Sequence, residues 1–86
     1  MTFNVIWSEK SKLTLKSLDK VTSSRIVAKV ESIKESPLDY VKHLVGVPVY
    51  SLRVGDYRVI MDIKNKEMII FVIKVGHRSK VYSRLS

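Results

Sequence analysis

The chain has 86 residues, 45% hydrophobic and 28% charged, the composition of a folded single domain over residues 1–86 and not of a disordered tail. It has no cysteine, which excludes disulfides and thiolate metal sites, and its two histidines, His43 and His77, lack acidic neighbours at a metal-ligand spacing. No apolar run reaches the roughly 20 residues that span a bilayer, and Met1-Thr2-Phe3-Asn4-Val5 has no basic region leading into an apolar one. A cytoplasmic protein with no membrane association, metal or small-molecule cofactor is therefore expected.

Sixteen Lys/Arg against eight Asp/Glu give a formal charge of +8. Such an excess attracts polyanions and speeds encounter with them; a basic surface with no polyanionic partner is the alternative. Residues 1–36 carry seven basic and four acidic side chains, and residues 37–86 carry nine and four. After Gly76 come His77, Arg78, Lys80 and Arg84 with no acid among them.

Phe3-Asn4-Val5-Ile6-Trp7 is rich in β-branched and aromatic residues and reads as a strand. Ser8 offers an N-cap with Glu9 in the first turn of a helix running to about Leu18, with Leu13, Leu15 and Leu18 as its apolar residues. A second helix, capped by Thr22 or Ser23, carries Ile26, Val27, Val30 and Ile33 at helical spacing, and Pro37 ends it. Residues 38–48, with Gly46 and Pro48, read as an irregular connection. Val49–Val54 and Tyr57–Ile63 alternate polar and apolar side chains around Gly55-Asp56, a pair suited to a tight hairpin turn. Lys64-Asn65-Lys66 is a second turn, and Glu67–Val75 is a strand apolar on both faces, hence interior and covered by helices on at least one side. The order β-α-α-β-β-β predicts an α+β fold with two N-terminal helices on one face of a small, antiparallel-rich sheet.

A two-residue Gly55-Asp56 loop pairs Val54 with Tyr57 and sets Arg53 opposite Arg58 on one face. Like charges at that cross-strand position repel. An acid, full solvation or a shared anion must offset the repulsion, and the planar guanidinium fork suits phosphate oxygens; two arginines splayed into water remain the alternative. Gly76-His77-Arg78 delivers an imidazole and a further arginine to a strand end, where function concentrates. Tyr82 follows, able to stack on a base or to transfer a proton. Singly, His77 suits a surface histidine and Tyr82 a rim aromatic. With Arg53 and Arg58 they make a basic, aromatic-bearing site without a carboxylate pair, which favours electrostatic stabilisation of a phosphoryl transition state. Lys74 and Lys80, on and just beyond the last strand, and Ser51 on the hairpin are further candidate phosphate contacts.

Leu44 and Gly46, then Tyr50-Ser51-Leu52-Arg53-Val54-Gly55-Asp56-Tyr57-Arg58-Val59-Ile60, then Val72-Ile73-Lys74-Val75-Gly76-His77-Arg78 with Val81-Tyr82, resemble the RelE/ParE superfamily of bacterial and archaeal toxins. The resemblance extends over the whole chain and is most specific in its second half. It implies the toxin of a type II toxin–antitoxin system, held inactive by a cognate antitoxin. RelE-type members cleave messenger RNA in the ribosomal A site without metal, by attack of the substrate's own 2′-hydroxyl, with contacts to ribosomal RNA expected. By that resemblance Arg58 stabilises the transition-state phosphate, Arg78 contacts the phosphate or protonates the leaving group, and Tyr82 is the general base. Arg53 occupies one of two positions that are basic in well-known members. The other falls on the neutral Ser51, so a cation that would acidify Tyr82 is missing, and either turnover is slower or His77 takes part of the proton transfer. The alternatives are a ParE-type gyrase inhibitor, a non-catalytic RNA-binding module, and a toxin that has lost its activity and persists as a regulatory subunit.

Overall fold

The computed structural model describes residues 2–80, which form β1 (Asn4–Trp7), α1 (Glu9–Ser17), α2 (Lys20–Ser32), a 3-10 turn (Pro37–Asp39), β2 (Lys42–His43), β3 (Tyr50–Val54), β4 (Tyr57–Lys64) and β5 (Ile69–His77). The five strands make one sheet in the order β1-β5-β4-β3-β2. β2 through β5 pair antiparallel with their neighbours, while β1 adds parallel to β5, so the sheet is mixed. The parallel addition follows from the connection: α1 and α2 carry the chain across one face before the antiparallel strands begin. β5 is interior as expected, between β1 and β4.

The helices begin where short polar side chains replace missing backbone acceptors. Ser8 caps α1, its Oγ accepting from the Ser11 N–H at 3.1 Å. The Ser8 hydroxyl also donates to the Ile73 carbonyl at 2.8 Å, fastening α1 to β5. The cap of α2 differs from the Thr22 or Ser23 expected: Asp19 supplies it, accepting from the Thr22 N–H at 3.0 Å and the Thr22 hydroxyl at 2.6 Å. A carboxylate is favoured over a hydroxyl there because the N-terminal end of a helix is electropositive. The Thr22 hydroxyl first, and the Thr22 N–H second, hold the Asp19 carboxyl below the usual aspartate range. α2 ends at Ser32, with Ile33 as its C-cap; Pro37 opens the 3-10 turn and does not end the helix. β5 starts at Ile69, two residues later than expected, because Met68 takes a left-handed φ of 57° and breaks the extended run.

One buried layer lies between helices and sheet. Ile26, Val30 and Ile33 meet Leu52, Val54, Val59, Met61, Ile63, Ile70, Val72 and Val75, with Phe3 closing one end. Leu15 and Leu18 of the α1 segment pack against the same cluster, so both helices cover a single face. Among the described residues no helix is long and apolar enough to cross a membrane.

Candidate functional site

The hairpin register is the one the sequence predicts: Val54 pairs with Tyr57 and Arg53 lies directly opposite Arg58. Gly55 adopts φ +60°, which the two-residue turn requires and which costs glycine nothing. Leu52, Val54 and Val59 point into the helix-covered core. Strand alternation then turns Ser51, Arg53 and Arg58 to the opposite face. Lys42 joins them there, because β2 pairs Lys42 with Ser51.

These residues line a groove of about 580 Å³ whose second wall is the segment Asp39–Lys42. Among the described lining residues, Lys42, Arg53 and Arg58 are cationic and Asp39 is acidic. Arg58 is half-buried and its Nη1 atom has almost no solvent exposure, whereas Arg53 is exposed and its Nε donates to the Gly55 carbonyl at 3.3 Å. Ser51 is 5% exposed, so it forms part of the floor. A concave cationic surface of this kind can hold a phosphate between two guanidinium groups, and partial burial of one of them strengthens the attraction by lowering the local dielectric.

The remaining candidates divide. Lys74 pairs with Ile60 in β4, two residues along the strand from Arg58, and therefore shares the face of Arg58. His77 does not: it pairs with Tyr57, and the two rings meet edge to face with centroids 5.6 Å apart on the helix side of the sheet. Its Nδ1 is engaged by Ser79, 2.9 Å from the hydroxyl and 3.3 Å from the backbone N–H. Arg78 leans toward the β3–β4 turn, its N–H donating to the Asp56 carbonyl at 2.8 Å and its Nε 3.9 Å from the Asp56 carboxylate. Both partners of that ion pair are well exposed, so it contributes little stability. The Lys80 N–H closes a turn onto the His77 carbonyl. Tyr82 lies outside the described residues.

Sequence reasoning missed the second wall of the groove. Asp39, Tyr40 and Lys42 sit in a stretch with no helical or strand period, and only the short β2 pairing brings them to β3. The approach of Arg78 to Asp56 could have been read: continuing the pairing of Tyr57 with His77 by one residue sets the two side by side.

Residues 5–82 match the profile of the ParE toxin of type II toxin–antitoxin systems, parDE. No curated protein sequence matches the chain. Among solved structures, a chain of the archaeal RelE–RelB complex from Pyrococcus horikoshii is 27% identical with a TM-score of 0.79, over 94% of this chain and 100% of its own. An arginine-substituted variant of the E. coli toxin RelE in the free state is 26% identical with a TM-score of 0.76, over 96% and 93% of the two chains. A chain of the RelBE2 toxin–antitoxin complex of Mycobacterium tuberculosis, 20% identical, shares the fold with a TM-score of 0.84 over 93% and 95%. The hairpin that sets Arg53 against Arg58 lies wholly inside the matched span, and the chain belongs to the ParE toxin family of type II toxin–antitoxin systems, within the RelE/ParE superfamily.

Proposed function

We propose that this toxin is a RelE-type endoribonuclease that cuts messenger RNA in the ribosomal A site. The observation that carries the reading is the Arg53–Arg58 cross-strand pair in a cationic groove, with the Nη1 atom of Arg58 buried. Two like charges held opposite one another are an unfavourable arrangement that a bound phosphate turns into a favourable one.

In the proposed reaction the 2′-hydroxyl attacks the adjacent phosphorus and its proton passes to a base. The bond to the 5′-oxygen breaks, that oxygen is protonated, and the products are a 2′,3′-cyclic phosphate and a 5′-hydroxyl. Holding nucleophile and phosphate in line makes the attack intramolecular and contributes several kcal/mol. Arg58 stabilises the charge that develops on the phosphoryl oxygens, Arg53 shares that load, and Lys42 and Lys74 hold flanking phosphates. Lys80, just past β5, can hold a further one. Tyr82 and Arg78 are the proposed proton-transfer pair. His77, on the other face beside Tyr57, supports the sheet rim and is not assigned a proton. The proposed protein partner is a cognate antitoxin, by analogy with RelE in its complexes with RelB.

Incubation with programmed ribosomes in EDTA tests the proposal: codon-phased cuts ending in 2′,3′-cyclic phosphate are expected. The family profile itself, named for ParE, favours a second reading as a gyrase inhibitor. Intact message together with blocked gyrase supercoiling would replace the first reading by the second.

A further inference from the structure

We infer that Tyr40 is the base-stacking platform of the arginine groove, a residue that sets affinity for single-stranded RNA without touching the phosphate. The inference deepens the ribonuclease reading and rests on it. Tyr40 is 56% exposed, so core packing does not account for an aromatic ring at this position. It lines the same groove as Lys42, Arg53 and Arg58, and among the described lining residues it is the one aromatic. Tyr50 and Tyr57 pack against the helix-side core instead, and Phe71 lies farther along the sheet, opposite Asp62.

The ring is carried on a short, fixed support. Pro37 is buried, the Asp39 N–H donates to the Ser36 carbonyl at 3.1 Å, and the Tyr40 N–H donates to the Pro37 carbonyl at 3.1 Å. Two residues later Lys42 is already paired to Ser51 in the sheet. Backbone held on both sides of the ring needs little further ordering when a base settles on it. A basic groove that tracks the backbone beside an exposed aromatic ring is the combination that binds single strands, since every base offers a π-face. With a phosphate between the guanidinium groups, the adjoining base meets the wall that carries Tyr40.

The test uses two labelled probes read by fluorescence anisotropy at low salt: a 2′-O-methyl hexaribonucleotide, which cannot be cleaved, and an abasic sugar–phosphate chain of equal length. Wild type is expected to prefer the base-bearing probe by about tenfold, the order of one base–aromatic stack. Tyr40→Ala should lose that preference and bind the abasic chain as wild type does, while Tyr40→Phe retains it. Arg58→Ala should weaken both probes and flatten the salt dependence. If Tyr40→Ala keeps the preference, or loses affinity for both probes equally, Tyr40 is not a stacking platform, although an Arg58-dependent wild type leaves the RNA reading standing. If wild type binds neither probe, the RNA reading and this inference fall together.

Discussion

Arg53 and Arg58 face each other across a hairpin, and the cost of that arrangement is measurable without any ligand. In Arg53→Gln the stem is preserved and one of the two charges is removed. A like-charged pair directly opposite costs about 0.2–1 kcal/mol, and the lost 3.3 Å bond from Nε to the Gly55 carbonyl is exposed and long, so it offsets little of this. For a chain of this length 1 kcal/mol moves Tm by roughly 4–8 °C, so Arg53→Gln should melt about 1–8 °C higher than wild type in low-salt buffer. Circular dichroism melts in about 10 mM and about 1 M NaCl separate the charge effect from packing, because the screening length shrinks from roughly 30 Å to roughly 3 Å. The gain should vanish in high salt, and the same variant should cleave or bind RNA less well than wild type at every salt concentration. A variant that melts lower than wild type in both buffers would refute the reasoning. It would mean that the pair is already compensated within the folded protein, and that no repulsion is stored there for a phosphate to relieve.

Three further outcomes follow from the same structure. Arg58→Ala should lower the proposed ribosome-dependent cleavage by about 10²–10³, the effect of losing one preorganised donor to the transition state, with the circular dichroism spectrum of the folded protein retained; an unfolded variant would make the arginine structural. Ser8→Ala removes both the α1 cap and the tie to the Ile73 carbonyl and should cost about 1–2 kcal/mol, read as a lower urea midpoint with an unchanged slope. Asp19→Ala should lower the melting temperature at neutral pH. Because the folded carboxyl lies below its unfolded value, the contribution of Asp19 is present above the ordinary aspartate range and is lost as pH falls through the folded value, so variant and wild type should converge in acid.

Much of this architecture follows from local rules that a sequence displays. The apolar spacing of Ile26, Val30 and Ile33 sets the buried face of α2, and a two-residue turn at Gly55-Asp56 leaves one register for β3 against β4. What local rules do not display is pairing between distant segments. The parallel docking of β1 on β5 carries no signal in either strand, and the two-residue β2 is too short for any period, yet it delivers Lys42 and the Asp39–Tyr40 wall to the arginines. Asp19 was overlooked for a different reason: it stands one residue before a lysine that opens the helix, ahead of the apolar stripe by which helix starts are recognised.

The placement of His77 turns on a single extra residue. In β5 Lys74 pairs with Ile60, but Val72 pairs with Met61, so Ile73 has no partner in β4 and forms a bulge. Its carbonyl is taken by the Ser8 hydroxyl, which couples the irregularity to the start of α1. A bulge reverses the alternation: Ile70 and Val72 point to the helices before it, and Val75 does so after it. This is why the run from Ile69 to Val75 looks apolar on both faces, for its inward side changes parity midway. Counting forward from Val72 without the bulge would turn Lys74 and Gly76 toward the helices and His77 toward the arginines. With the bulge, Lys74 shares the face of Arg58 and His77 meets Tyr57 on the other side. The bulge thus sets an ammonium group on the face of Arg58 and an imidazole on the opposite face, so that in the proposed reaction Lys74 would meet phosphate and proton transfer would fall to groups beyond His77.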